Sequence, residues 1–116
     1  MPVSPGYKAY VLEQLQVAGT VTARSMFGGV GLYCEAVFFG LLDDDMLYLK
    51  VDDENRPDYE AAGMDPFRPP GDELSKNYYQ LPADVLEDRE ALRAWVEKAV
   101  AAARRKSAGK RKRPRT

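Results

Sequence analysis

Apolar residues recur along this chain with two different periods. Tyr7, Val11, Leu15 and Ala18 stand three or four apart, the spacing of one helix face. Ser4-Pro5 before them supplies an N-cap followed by proline at the first helical position, and Gly19 follows as a stop, so a helix is predicted over about 4–18. From Val21 the period shortens. β-Branched and aromatic residues gather in three runs, Val21 to Tyr33, Val37 to Leu42 and Met46 to Val51, which predict an antiparallel meander. Asp43-Asp44-Asp45 separates the last two as a hairpin turn, because aspartate side chains bond nearby backbone amides. In the third run Leu47, Leu49 and Val51 alternate with Tyr48 and Lys50, giving one buried face and one wet face, with Lys50 on the wet one.

Asp52-Asp53-Glu54 places carboxylates where the positive end of a second helix would lie, and Gly63 closes that helix. Pro66, Pro69, Pro70 and Gly71 confine any strand around Phe67 to a sheet edge, beside a strand through Tyr78-Tyr79-Gln80-Leu81. Beyond Pro82, the residues Val85, Leu86, Leu92, Trp95, Val96, Ala99, Val100 and Ala103 form a helical stripe, with Trp95 as its largest contribution to the core. The expected fold is α+β, a two-layer antiparallel sheet with helices in the order α-β-β-β-α-β-β-α. One domain over 1–103 is expected, followed by a basic segment, 104–116. Residues 107–116 lack large apolar side chains and are expected to be disordered.

Composition narrows the chemistry. A length of 116 residues suits one core. The longest apolar run, Ala36 to Leu42, is far short of the roughly 20 residues that span a bilayer, and Met1 to Gly6 has no secretory pattern. Cys34 is the one cysteine, so a reducing, cytoplasmic home is expected. There is no histidine, which removes Ser-His and Cys-His nucleophiles, histidine bases and histidine metal sites. Charge is divided: Arg104, Arg105, Lys106, Lys110, Arg111, Lys112, Arg113 and Arg115 put eight cations in the last thirteen residues. The other nine basic residues face all 18 acidic ones, leaving the body nine charges negative.

Each remaining motif has a plain structural reading beside a chemical one. Gly28-Gly29-Val30-Gly31 invites a phosphate loop, but a dinucleotide fingerprint from Gly29 needs a small residue where Cys34 stands and a helix where strand residues follow, so a bulge or close backbone approach is expected. Asp43, Asp44 and Asp45 with Asp52 and Asp53 offer oxygen ligands, yet their spacing matches no calcium loop, and a turn plus a helix start accounts for them. Cys34 reads as a small buried hydrophobe and Lys50 as an exposed lysine rather than a buried base. Tyr78, Tyr79 and Trp95 could stack on nucleobases, but the acidic body argues against such a platform. The eight cations from Arg104 to Arg115 are the nucleic-acid-binding candidates, weighed against a merely solubilising role.

Three segments carry a resemblance: Ser25-Met26-Phe27-Gly28-Gly29-Val30-Gly31-Leu32-Tyr33, then Leu47-Tyr48-Leu49-Lys50-Val51-Asp52-Asp53-Glu54-Asn55-Arg56, then Tyr59-Glu60-Ala61-Ala62-Gly63-Met64-Asp65-Pro66-Phe67. Tyr78-Tyr79-Gln80-Leu81-Pro82 and the final helix extend it. Over about 7–103 the chain resembles the N-terminal domain of the TfoX (Sxy) family, known from bacterial regulators of natural competence. The resemblance implies the antiparallel fold above, no known catalytic residue and no cofactor. Competence regulators carry a second, C-terminal domain where this chain has its basic segment, so their transcriptional role is not carried over intact. The expectation is a stand-alone, non-enzymatic binding and regulatory module. It would act through a protein partner, a second copy being one option, with non-specific attraction of DNA or RNA by the tail. The alternative is a carboxylate- or metal-dependent enzyme at Asp43–Asp45 and Asp52–Asp53.

Overall fold

The computed structural model describes residues 3–26, 29–67 and 75–112. Helix α1 spans Pro5–Leu15 and tightens into a 3-10 turn at Gln16–Ala18. Ser4 caps it as expected, its Oγ accepting from the Tyr7 N–H at 3.3 Å. Val11 and Leu15 are fully buried.

Six strands follow: β1 (Val21–Met26), β2 (Gly29–Cys34), β3 (Val37–Asp43), β4 (Met46–Lys50), β5 (Pro66–Phe67) and β6 (Ser75–Gln80). They form one antiparallel sheet in the order β1-β2-β3-β4-β6-β5. The α+β antiparallel architecture is the expected one. The run read as a single strand from Val21 to Tyr33 is two strands, since Met26 pairs with Gly29 across a connection of two residues. Phe27 and Gly28, which fill that connection, lie outside the described residues, as do Pro69, Pro70 and Gly71. The short strand at Phe67 is at the sheet edge.

A β-bulge shapes the centre of the sheet. Leu32 pairs with Gly40 and Tyr33 with Phe38, which makes Phe39 the extra residue, and Phe39 is fully buried. Gly40 is required by close approach: a β-carbon there would meet the Tyr48 carbonyl oxygen at 2.7 Å and Leu49 Cδ2 at 2.9 Å. The β2–β3 and β3–β4 hairpins turn through left-handed residues that are not glycine, Glu35 and Ala36 after β2, and Asp44 and Asp45 after β3.

The second helix, α2, is Arg56–Ala61, later than expected. Asp52, Asp53 and Glu54 form the turn before it rather than its first residues. The terminal helical stripe is divided into α3 (Ala83–Leu86) and α4 (Arg89–Lys112). Asp88 makes the break, its Oδ1 accepting from the Glu90 and Ala91 N–H groups at 3.1 Å as a new N-cap. The final helix does not end near Ala103. It continues through Arg104, Arg105 and Lys106 to Lys112. Alanine, arginine and lysine are strong helix formers, and cations suit the negative end of the helix dipole. Arg113 and Arg115 lie outside the described residues.

One core holds the layers together. Leu32, Phe39, Leu49 and Tyr79 from the sheet meet Val11 and Leu15 of α1, Tyr59 of α2, and Leu92, Val96 and Ala99 of α4. Trp95 packs against this core from a partly exposed position, edge-on to Tyr59 at 4.7 Å between ring centroids. We expect Trp95→Ala to cost about 2–4 kcal/mol, less than a fully enclosed tryptophan at the upper end of the usual range. Urea unfolding followed by far-UV circular dichroism measures it, and a loss under about 1 kcal/mol would mean that the Tyr59–Trp95 contact does not anchor α4.

Candidate functional site

The β4–α2 corner is assembled by Asn55, whose side chain is almost fully buried at 2% exposure. Its Oδ1 accepts from the Asp52 N–H at 2.8 Å, and its Nδ2 donates to the Lys50 carbonyl at 3.0 Å. Asp52 Oδ1 accepts from the Glu54 N–H at 3.0 Å. With this turn set, the Asp52 carboxylate receives both arms of Arg105 from α4, Nε at 2.7 Å and Nη2 at 2.9 Å. Asp53 pairs with Arg56 at 2.8 Å. Between these pairs lies an open cleft of about 340 Å³, lined by Lys50, Asp52, Arg56, Asn77, Arg105 and Lys106 among others.

Lys50 is not the exposed lysine that alternation predicted: it is 7% exposed. Tyr78, its partner across β4 and β6, covers it, with Nζ 4.9 Å from the ring centroid. Among the described residues its ammonium makes no hydrogen bond or ion pair. Burial pushes its pKa down from the ordinary lysine value, Lys106 adds to this and Asp52 opposes it.

Three of the eight predicted nucleic-acid contacts have described side chains. Arg104 reaches back to Glu35 at 3.3 Å, and Arg105 is held by Asp52, with Glu54 at 3.7 Å. Lys106 is exposed at the cleft rim. Lys110, Arg111 and Lys112 follow on α4. Of the three whose side chains the structure describes, Arg104 and Arg105 are engaged with the body and Lys106 is exposed.

The carboxylates of the enzyme alternative have structural work. Asp44 and Asp45 make the β3–β4 turn, and Asp45 Oδ1 accepts from the Ser4 N–H at 2.8 Å. Among the described residues no three His, Cys, Asp or Glu side chains stand close enough to hold a metal ion. Gly29 sits against backbone, where a β-carbon would meet the Leu42 carbonyl oxygen at 2.5 Å, so its role is close strand approach. Cys34 is buried, and burial together with Glu35 raises its thiol pKa, the opposite of an activated nucleophile.

Two surfaces were missed by sequence reasoning. Tyr10 and Met46, each 39% exposed, are the large apolar side chains most open to solvent among the described residues, and both line a groove of about 290 Å³ with Tyr7, Asp45, Leu86 and Glu87. The helix reading of α1 carried no statement about its outer face, so Tyr10 drew no notice. On the sheet, Arg24, Tyr33, Phe38, Tyr78 and Lys50 form a row on the face opposite the helices. The signal was present in the alternation of Tyr48 and Lys50 with core leucines, but its continuation across five strands needs the register.

These features define a small α+β domain with one antiparallel sheet and helices packed on its core face. Residues 13–103 match the family model of the TfoX N-terminal domain, and the chain belongs to that family. The basic extension of α4 past Ala103 lies beyond the matched range. No curated protein matches the chain. No described helix is long and apolar enough to cross a membrane.

The Arg105–Asp52 fork has a pH signature. Hydrogen bonding from Arg105 holds the Asp52 carboxyl below the ordinary aspartate value, so this contribution to stability is complete above about pH 4 and is lost as pH falls through the lowered native pKa. We expect the urea midpoint of the native chain to fall more steeply between about pH 4 and pH 2 than that of Arg105→Gln. Parallel curves would show that the fork contributes nothing in solution.

Proposed function

We propose that this TfoX-family chain is a non-enzymatic binding and regulatory module, in which the folded body meets a protein partner and the basic end of α4 attracts nucleic acid without reading sequence. The observation that carries the first part is the convergence of Tyr10 and Met46 on one groove. Exposed apolar groups rimmed by polar ones mark protein contact surfaces. The engagement of Asp52 by Arg105, of Asp53 by Arg56 and of Asp45 by the Ser4 N–H supports a binding role over carboxylate chemistry. The second part is supported by Lys106, exposed and outside the ion pairs of its neighbours, and by the cations that follow it along the chain.

Affinity capture from the native cell tests the groove. The full chain should recover a defined protein, Met46→Lys should lose it, and substitution of Lys106, Lys110, Arg111, Lys112, Arg113 and Arg115 by glutamine should retain it. Recovery by Met46→Lys equal to that by the native chain would remove the groove from the reading.

For the basic end, duplexes of unrelated sequence should bind with similar, weak affinity. Because Arg104 and Arg105 are held by the body, at most six cations meet phosphates, and log affinity against log salt should have a slope no steeper than about −5. Fluorescence anisotropy at several salt concentrations measures this. The same six glutamine substitutions should abolish duplex binding, and they leave Arg104 and Arg105 in place to hold α4. Duplex binding that survives those substitutions would overturn the assignment.

A further inference from the structure

The sheet face turned away from the helices carries a continuous row of rings with a cation at each end. Arg24 of β1 lies over the Tyr33 ring at 5.9 Å from its centroid. Tyr33 and Phe38 are 5.2 Å apart, and Phe38 and Tyr78 are 5.9 Å apart. Lys50 lies over Tyr78 at 4.9 Å. The row thus crosses the sheet from its β1 edge to β6. The helices pack on the opposite face, where Leu32, Phe39, Leu49 and Tyr79 lie in the core.

Lys50 asks most for an explanation. A lysine withdrawn from water at 7% exposure usually has a carboxylate within reach, because burying an uncompensated charge is costly. Here the ammonium faces an open cleft with a ring beside it, while the adjacent Asp52 carboxylate gives both oxygens to Arg105. An anion arriving through the cleft would provide the missing counter-charge.

The local sign of the surface agrees with this, although the body as a whole is acidic. Of the carboxylates next to the row, Asp52 is neutralised by Arg105 and Glu35 by Arg104. The acidic groups Asp43, Asp44 and Asp65 act instead on Tyr48, elsewhere on this face.

We propose that this face is a platform for single-stranded nucleic acid, with bases stacking on Tyr33, Phe38 and Tyr78 and backbone phosphates held by Lys50 and Arg24. A row of rings flanked by cations across a sheet suits single strands, since every base offers a flat apolar face and every linkage one negative charge. A duplex cannot use it, because its bases are already stacked and paired. The rings of the platform are therefore distinct from the cations that follow Lys106 on α4, while Lys106 itself lines the cleft at Lys50.

The test is fluorescence anisotropy of the full-length protein with labelled dT12, rU12 and a 12-base-pair duplex as probes. We expect the single strands to bind, with Lys50→Met weakening them about 10-fold, Phe38→Leu weakening them about 5-fold or more, and Lys50→Arg restoring most of the affinity. Glutamine at Lys110, Arg111, Lys112, Arg113 and Arg115, with Lys106 at the cleft rim left in place, should weaken duplex binding and leave most single-strand binding. Thermal melting of each variant verifies the fold, and Lys50→Met should melt no lower than the native chain because it removes a buried charge. The proposal is overturned if dT12 and rU12 fail to bind, which would leave the face to a protein. It is equally overturned if Lys50→Met and Phe38→Leu bind them as the native chain does, or if the glutamine substitutions at the end of α4 abolish single-strand and duplex binding together.

Discussion

The close seating of α4 on the sheet is the contact on which everything else depends. Ala99 and Ala102 are essentially without exposure, and their small side chains bring the helix backbone near β3 and β4 while Leu92 and Val96 fill the remaining space. α1 and the short α2 and α3 complete the same layer, and the tilt they allow α4 is limited by Tyr59 against Trp95. Since one continuous helix carries both this core stripe and the cations from Arg104 onward, the position of the basic segment is set by the apolar packing that precedes it together with the ties of Arg104 and Arg105 to the body.

That coupling accounts for the polar corner as well. Arg105 reaches Asp52 only because α4 passes over the end of β4, and Asp52 is presented by a turn that Asn55 holds from within. A buried asparagine with both ends of its amide satisfied is a specific arrangement, and each partner is a backbone group, so the corner depends on register more than on side-chain identity. Lys50 is drawn into the same corner with its ammonium under Tyr78, where the fold tolerates a charge it does not itself balance.

Much of the fold was legible in the chain. Helical spacing at Tyr7, Val11 and Leu15, strand alternation at Leu47, Leu49 and Val51, and the turn chemistry of Asp43 to Asp45 each reflect local rules that the structure obeys. The hairpin within the Val21–Tyr33 run was missed because Gly28-Gly29, itself a turn signal, was read as a bulge or close backbone approach within one strand. The other errors lie where tertiary contacts decide. The length of α4 was underestimated because helix propensity and the Arg105–Asp52 and Arg104–Glu35 ties outlast the apolar stripe. Lys50 was assigned to water by alternation, which identifies a face and not what lies across from it on the next strand. The row from Arg24 to Lys50 joins residues far apart in sequence, so only the sheet order could assemble it.

The β2–β3 and β3–β4 hairpin tips carry a local cost. Glu35 and Ala36, like Asp44 and Asp45, hold positive φ without the help of glycine. A β-carbon makes that conformation unfavourable by about 1 kcal/mol or more at a residue such as Ala36, and aspartate is only partly exempt. Both tips place their two central residues in this conformation, whose twist matches that of the paired strands, so the local cost at each tip is offset by the ladder it closes.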